Sequence, residues 1–432
     1  MSELASKSSA RYRTLAPLRL VSFRFLLAGR AINALGNAIA PIALAFAVLD
    51  LTGSPSDLGL VVGVRMLANV VFLLFGGALA DRVPKHLLMV GASVAAAITQ
   101  AAVAALVLSG TATVALLIAL SAANGMVSAL AMPASAAIVP QLVPADIRQQ
   151  ANALNRLFLN GAVIVGAPVG GVIVATAGPG WGIAIDAAAF AISAVAFALI
   201  SLPSAGTAPV AAAARSSIFT DLRTGWTEFR SRTWLWVVVA GFAVINAAIS
   251  GGMSVLGPVV ADDTVGRRAW GLVLAAQTVG MVLGAVFAMR IRVSRLLFVG
   301  VLCMAFEVLP ILTLGVMPHL GLLLGAAFLA GVGIEQFSVA WETTMQEHIP
   351  TDRLARVYSY DMVGSFVAIP IGQVAAGPIA EAVGVEATLV GAAALIGLSV
   401  TGMLSSGAVR NLRHRLPTSA EADGPTMEQS SA

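Results

Sequence analysis

Long apolar runs separated by short polar punctuation set the pattern of the chain. Runs of about 20 apolar residues are long enough to cross the hydrocarbon core of a bilayer as helices. Twelve are found, at roughly 22–49, 58–80, 87–109, 112–138, 153–176, 181–201, 234–260, 270–289, 296–316, 319–345, 355–380 and 385–408. They predict an all-α polytopic membrane protein with twelve transmembrane helices. The longest polar connection, 202–233, divides the runs six and six. Its second part, Ile218-Phe219-x-x-Leu222-x-x-x-Trp226-x-x-Phe229, has helical spacing with charges between, which predicts an amphipathic helix at the interface. The expected organisation is a cytoplasmic N-terminal segment (1–21), a six-helix bundle (22–201), the linker (202–233), a second six-helix bundle (234–408) and a polar, disordered tail (409–432).

The two halves also repeat. A displacement of 206 residues brings Pro144 onto Pro350 and Asp146 onto Asp352, in equivalent loops. Glycine matches such as Gly166 with Gly372 weigh less in a chain holding 42 glycines. Parallel repeats of this kind are a known transporter architecture.

Charge then orients the spans. Arg30 and Arg65 fall inside apolar runs, and Arg267 and Arg268 fall in one outer loop. The rest of the 25 Lys and Arg lie in the N-terminal segment, the even-numbered connections and the tail. Basic loops stay cytoplasmic, so both termini are expected in the cytoplasm of a cell-membrane protein. The first run, preceded by Arg11, Arg13 and Arg19, is too long for a signal peptide, and Pro41 follows Ala38-Ile39-Ala40. It reads as an uncleaved helix.

Composition removes whole classes. The chain is 58% hydrophobic and 11% charged, against about 25% charged in soluble domains. The formal charge of +4 reflects basic loops rather than a nucleic-acid surface. One cysteine, Cys303, and four scattered histidines make neither a disulfide nor a metal site. Lys7 and Lys85 are the only lysines and neither follows a glycine, so there is no P-loop. No H-E-x-x-H or G-x-S-x-G occurs, which argues against an enzyme. No cofactor or metal is expected.

The informative polar residues are those inside the runs, since an ionisable group at the centre of a lipid-facing helix costs at least about 2.5 kcal/mol. They are Arg30, Arg65, Asp186, Glu307, Glu335, Glu342 and Asp361. Arg30, Asn33 and Asn37 form one stripe on the first helix. Ser121, Asn124 and Ser128 recur on the fourth, Asn246, Ser250 and Ser254 on the seventh, and Glu335 and Glu342 on the tenth. Arg30, Asn33, Asn37, Asn124 and Asn246 are candidates for a substrate cavity. Glu307, Glu335, Asp186 and Asp361 are candidates for proton coupling. The plainer alternative is that Asn and Ser bond neighbouring helices at about 0.6 kcal/mol each, and that Arg30 and Asp361 form a fixed ion pair.

After the second helix comes Gly76-Gly77-Ala78-Leu79-Ala80-Asp81-Arg82-Val83-Pro84-Lys85-His86. Its G-x-L-A-D-R resembles the loop motif of the major facilitator superfamily (MFS), with Pro84 in place of the usual glycine. The alternative is an ordinary charged turn. The resemblance implies the MFS fold of two pseudo-repeated six-helix bundles, with helices one, four, seven and ten lining a central cavity. It also makes Gly77, Asp81, Arg82 and Lys85 a gating loop near the start of helix eleven. Gly161-x-x-x-x-Gly166-Ala167-Pro168-Val169-Gly170-Gly171 resembles the glycine-proline motif of drug/proton antiporters, although Gly166 and Gly170 would also serve plain helix packing. The arginine such antiporters carry in helix four is absent.

Leu51-Thr52-Gly53-Ser54, Met132-Pro133-Ala134, Pro140-Gln141-Leu142-Val143-Pro144, Trp341-Glu342-Thr343 and Arg356-Val357-Tyr358-Ser359-Tyr360-Asp361 resemble the enterobactin and macrolide efflux subgroup of MFS exporters. The resemblance implies a monomeric secondary transporter, coupled to protons, that exports amphipathic small molecules such as antibiotics or siderophores. The alternatives are an uptake carrier for a sugar or organic ion, and a non-transporting receptor or scaffold.

Overall fold

The computed structural model describes residues 15–80, 83–201, 226–227, 229–290 and 293–414. Twelve helices in it are long and apolar enough to cross a membrane. We number them α1 (Val21–Thr52), α2 (Pro55–Ala80), α3 (Lys85–Leu108), α4 (Val114–Ala137), α5 (Arg148–Ala177), α6 (Pro179–Ala198), α7 (Thr233–Asp263), α8 (Arg267–Ala288), α9 (Leu296–Val316), α10 (Leu320–His348), α11 (Thr351–Phe366 and Ala368–Val383) and α12 (Val385–Ser405). Each predicted apolar run has its helix, and no strand occurs among the described residues. The helices overrun the apolar runs where polar residues continue the turn into the interface, as Arg148, Gln149 and Gln150 do at the start of α5. Of the linker, Trp226 and Phe229 pack around Tyr360 of α11, and most of the expected amphipathic helix lies outside the described residues.

Three helices depart from regular α geometry, each just before a proline. Proline has no N–H for the carbonyl four residues back, and its ring crowds that carbonyl. Pro258 follows a π turn over Ser250–Leu256 in α7. Pro310 follows a 3-10 turn over Met304–Glu307 in α9. Pro370 follows the break of α11 at Val367. Two of these breaks carry residues with a bearing on the site, Ser254 and Glu307.

The contacts repeat between halves. In the first half α1 packs on α5 and α6, α2 on α4, and α3 on α6. In the second half α7 packs on α11 and α12, α8 on α10, and α9 on α12. The larger contacts between halves are α2 with α11 and α5 with α8, which the same six-helix shift exchanges. We call the end where α1 begins and α12 finishes proximal, and the other distal.

Small residues make the seam between halves. An added Cβ at Gly171 of α5 would lie 2.8 Å from the Arg267 carbonyl oxygen of α8, and one at Gly271 would lie 3.0 Å from the Ala167 carbonyl carbon. Gly377 of α11 meets the backbone of Ser56 in α2 as closely. Such backbone approach is what small residues permit between membrane helices, where dispersion rather than water drives association. Polar bonds cap the seam distally. Arg267 forms a two-pronged ion pair with Asp50 of α1 at 2.5 and 3.0 Å. Glu381 of α11 accepts from the Ser54 hydroxyl at 3.0 Å and the Ser56 N–H at 3.3 Å.

Candidate functional site

Two cavities lie proximal to this seam. The first, about 550 Å³, is enclosed by α1, α3, α4, α5 and α6 of the first half. The second, about 530 Å³, lies between the halves and is bounded by Arg65 and Asn69 of α2, Ser254 of α7, Trp270 and Gln277 of α8, and Gln373 of α11. Asn37 and Ser128 border both, so the two adjoin. Volumes of this size suit small-molecule ligands.

The stripe on α1 faces this space. Arg30, Asn33 and Asn37 all border the first cavity. Asn37 donates to the Asn33 carbonyl at 3.0 Å and also to its side-chain oxygen. The Arg30 Nη1 donates to Asn155 Oδ1 at 2.9 Å and Nη2 to Ser135 Oγ at 2.9 Å, with a further bond to the Ser135 carbonyl. Asp361 instead accepts from Trp341 Nε1 at 3.0 Å and Ser365 Oγ at 3.3 Å. The fixed Arg30–Asp361 pair considered as the plainer alternative is therefore not formed, because the two groups find partners within their own halves.

Two other cavity candidates point elsewhere. Asn124 is buried and donates to Thr99 Oγ1 of α3 at 3.2 Å. Asn246 donates to the Ser365 carbonyl of α11 at 3.0 Å. Both act as bonds between neighbouring helices, and neither borders the two cavities. From their stripes it is Ser128 and Ser254 that reach the cavities.

The carboxylates separate into two kinds. Asp186 and Glu307 are fully buried. Asp186 accepts from Gln100 Nε2 at 2.5 Å and lies in electrostatic reach of Arg65. It fits there because Gly36 of α1 leaves it room. Glu307 sits in the 3-10 turn of α9, against α10 and α12, and neither carboxylate oxygen has a hydrogen-bond partner. It is set apart from both cavities. Glu335 and Asp361 are only partly buried. Glu335 has Arg156 of α5, in the opposite half, within electrostatic range, together with Glu342. α10 itself carries no Lys or Arg, and the basic group within range of Glu335 comes from a position 179 residues away in numbering.

The glycine-proline motif has two faces. Gly166 and Gly170 lie against α1, where added Cβ atoms would come 2.9 Å from the Leu35 carbonyl oxygen and 3.0 Å from Ile39 Cα. Gly171 and the backbone at Pro168 lie against α8. Of the gating-loop residues, Lys85 opens α3. Asp81 and Arg82 lie outside the described residues, and Gly77 is placed only as part of the last turns of α2.

Sequence reasoning missed Asn152 and Asn155, which line the first cavity from α5. Their signal was the helical spacing of Asn152, Asn155 and Leu159, three and then four residues apart, which a run taken to begin at 153 cut short at its first member. It also missed the distal bonds of Asp50 and Glu381, for which nothing local signals a partner.

The Major Facilitator Superfamily profile matches residues 26–372. The multidrug efflux pump Tap of Mycolicibacterium fortuitum is 28% identical over 387 residues, covering 86% of this chain and 91% of that protein. Among solved structures, a bacterial homologue of the human lysosomal transporter Spinster, in an inward-facing and unoccupied conformation, superposes with a TM-score of 0.68 at 15% identity. The match covers 90% of this chain and 97% of that one. The nucleoside transporter NupG gives 0.69 at 13% identity, over 89% of this chain and 98% of its own. At these identities the structural likeness speaks to fold.

Proposed function

The chain belongs to the Major Facilitator Superfamily, a transporter and not an enzyme, and on that premise we propose that it is a proton-coupled exporter of amphipathic small molecules. It works as a monomer in the cell membrane with both termini in the cytoplasm. The observation that carries the reading is the pair of adjoining cavities beneath a seam closed at the distal end. With the termini in the cytoplasm, that is a carrier open to the inside. Rocking of the halves about the two seams would break the distal bonds and expose the same cavities outside. Similarity to an efflux pump supports the outward direction.

Within this reading Arg30, Asn33 and Asn37 contact substrate, and Asn124 and Asn246 fix the helices that frame it. We assign proton coupling first to Glu335, which is only partly buried and has Arg156 of the opposite half within electrostatic range. The alternatives are Glu307 and Asp186, both fully buried, and the partly buried Asp361. The segment of Gly77, Asp81, Arg82 and Lys85 acts as the proximal gate, and Gly166, Pro168, Gly170 and Gly171 keep α5 close to both α1 and α8. Bundles 22–201 and 234–408 are the moving bodies, joined by 202–233 and flanked by 1–21 and 409–432.

Flux into inverted vesicles, with and without a pH gradient, tests the reading. Accumulation that requires an acid interior supports proton-driven export. Accumulation in right-side-out vesicles alone would replace it with uptake.

A further inference from the structure

Among the described residues, the cavity of the first half has one ionisable wall residue, Arg30, and no acidic one. Arg30 is 9% exposed, and its guanidinium bonds go to a neutral amide oxygen and to the hydroxyl and carbonyl of one serine. Asp186, the buried acid of the same half, is engaged elsewhere. Asp186 is fully buried outside the cavity wall, bonded to Gln100 and facing Arg65. A cation in a low-dielectric site is costly until an opposite charge joins it. Here that position is left open beside 550 Å³ of space. The neutral donors around it are Asn33, Asn152 and Asn155, while Met89, Phe190 and Phe197 offer an apolar wall.

We propose that this chamber is an oxyanion-binding substrate subsite that selects anionic amphipaths, those carrying a carboxylate, phenolate or sulfonate, over cationic ones, with Arg30 as the counter-charge. It rests on the transport reading above and narrows its substrate class. The acidic group docks between the guanidinium and the asparagine amides. The apolar body lies along the methionine and phenylalanine side and extends past Asn37 towards the chamber between the halves. Anionic lipid phosphate shares the charge but would bring two acyl chains with it.

The test is an equilibrium one. Protein in phosphatidylcholine nanodiscs is titrated with carboxyfluorescein and with rhodamine 123, which share a three-ring core and differ in charge sign, and anisotropy is read. Wild type is expected to bind carboxyfluorescein at least about tenfold more tightly than rhodamine 123. Hydrogen bonds to charged groups support a loss of about tenfold or more in Arg30→Gln, with partial retention in Arg30→Lys. Asn155→Asp keeps Arg30 and sets a carboxylate on it, and should weaken carboxyfluorescein binding to a similar degree. That variant separates counter-charge from scaffolding, because it strengthens the bond that holds Arg30 in place. Tighter binding of rhodamine 123 by wild type would overturn the proposal, as would unchanged carboxyfluorescein affinity in Asn155→Asp. So would loss of carboxyfluorescein binding as phosphatidylglycerol replaces phosphatidylcholine at fixed salt, which would assign the chamber to lipid. No flux enters this measurement, so the subsite and the export reading fail separately.

Discussion

Arg267 is the keystone of the distal closure, and its bonds do not count equally. It reaches Asp50 at 2.5 and 3.0 Å and Asp262 at 2.7 and 2.9 Å, and stands 4.6 Å from the centre of the Phe46 ring. Asp262 ends α7, in the same half as Arg267, so that bond persists whichever way the halves lean. Asp50 and Phe46 belong to α1, in the other half. Only they favour the distally closed state over the open one, because an equilibrium responds only to interactions that differ between its states. The side chains are 21% and 42% exposed, which places the ion pair near the upper end of the exposed range, about 1 kcal/mol. The cation–ring contact adds about 0.5–1 kcal/mol. Asp50→Asn should therefore shift the equilibrium towards distal opening by up to about fivefold, and Arg267→Gln by roughly ten- to twenty-five-fold, at 1.4 kcal/mol per decade. Asp262→Asn should shift it little. Spin labels at Thr111→Cys and Met317→Cys, in a Cys303→Ser background, report the distal separation by electron–electron resonance. A long-distance population should grow in the order wild type, Asp50→Asn, Arg267→Gln. If Asp262→Asn redistributed the distances as much as Asp50→Asn, the reasoning from cross-half contacts would be refuted.

Other expectations follow from the packing and the buried acids. Gly271→Val puts a side chain into the Ala167 backbone, and should open the α5–α8 seam and abolish transport while each half stays helical by circular dichroism. Asp186→Ala leaves the buried Gln100 amide without its acceptor, a loss of about 1–3 kcal/mol, read as lowered thermal stability in detergent. Glu335→Gln should lose gradient-driven export yet still bind substrate; full gradient-driven flux would remove Glu335 as the coupling group. A cysteine at position 205, after Cys303 is replaced, should react only with reagents that enter the cytoplasm, and labelling from outside intact cells would invert the topology.

The apolar runs were enough to place twelve helices, because spanning a bilayer is a local property. Each span must be long, apolar and bonded within its own backbone. The breaks at Pro258, Pro310 and Pro370 are local for the same reason, since each proline acts on a carbonyl four residues away. Which polar side chain faces the cavity is not local. Asn37, Asn124 and Asn246 look alike in sequence, yet only Asn37 borders the cavity, while the other two bond Thr99 and Ser365 on adjacent helices. That outcome depends on how far each helix is rotated about its axis, and the rotation is set by packing against neighbours distant in sequence. The pairing of Arg267 with Asp50 spans 217 residues, and Arg156 comes within electrostatic range of Glu335, without bonding it, across the two halves. Such partners are chosen only when the bundles close on each other, because an ion pair needs its groups within a few ångströms and nothing in the intervening chain encodes that distance.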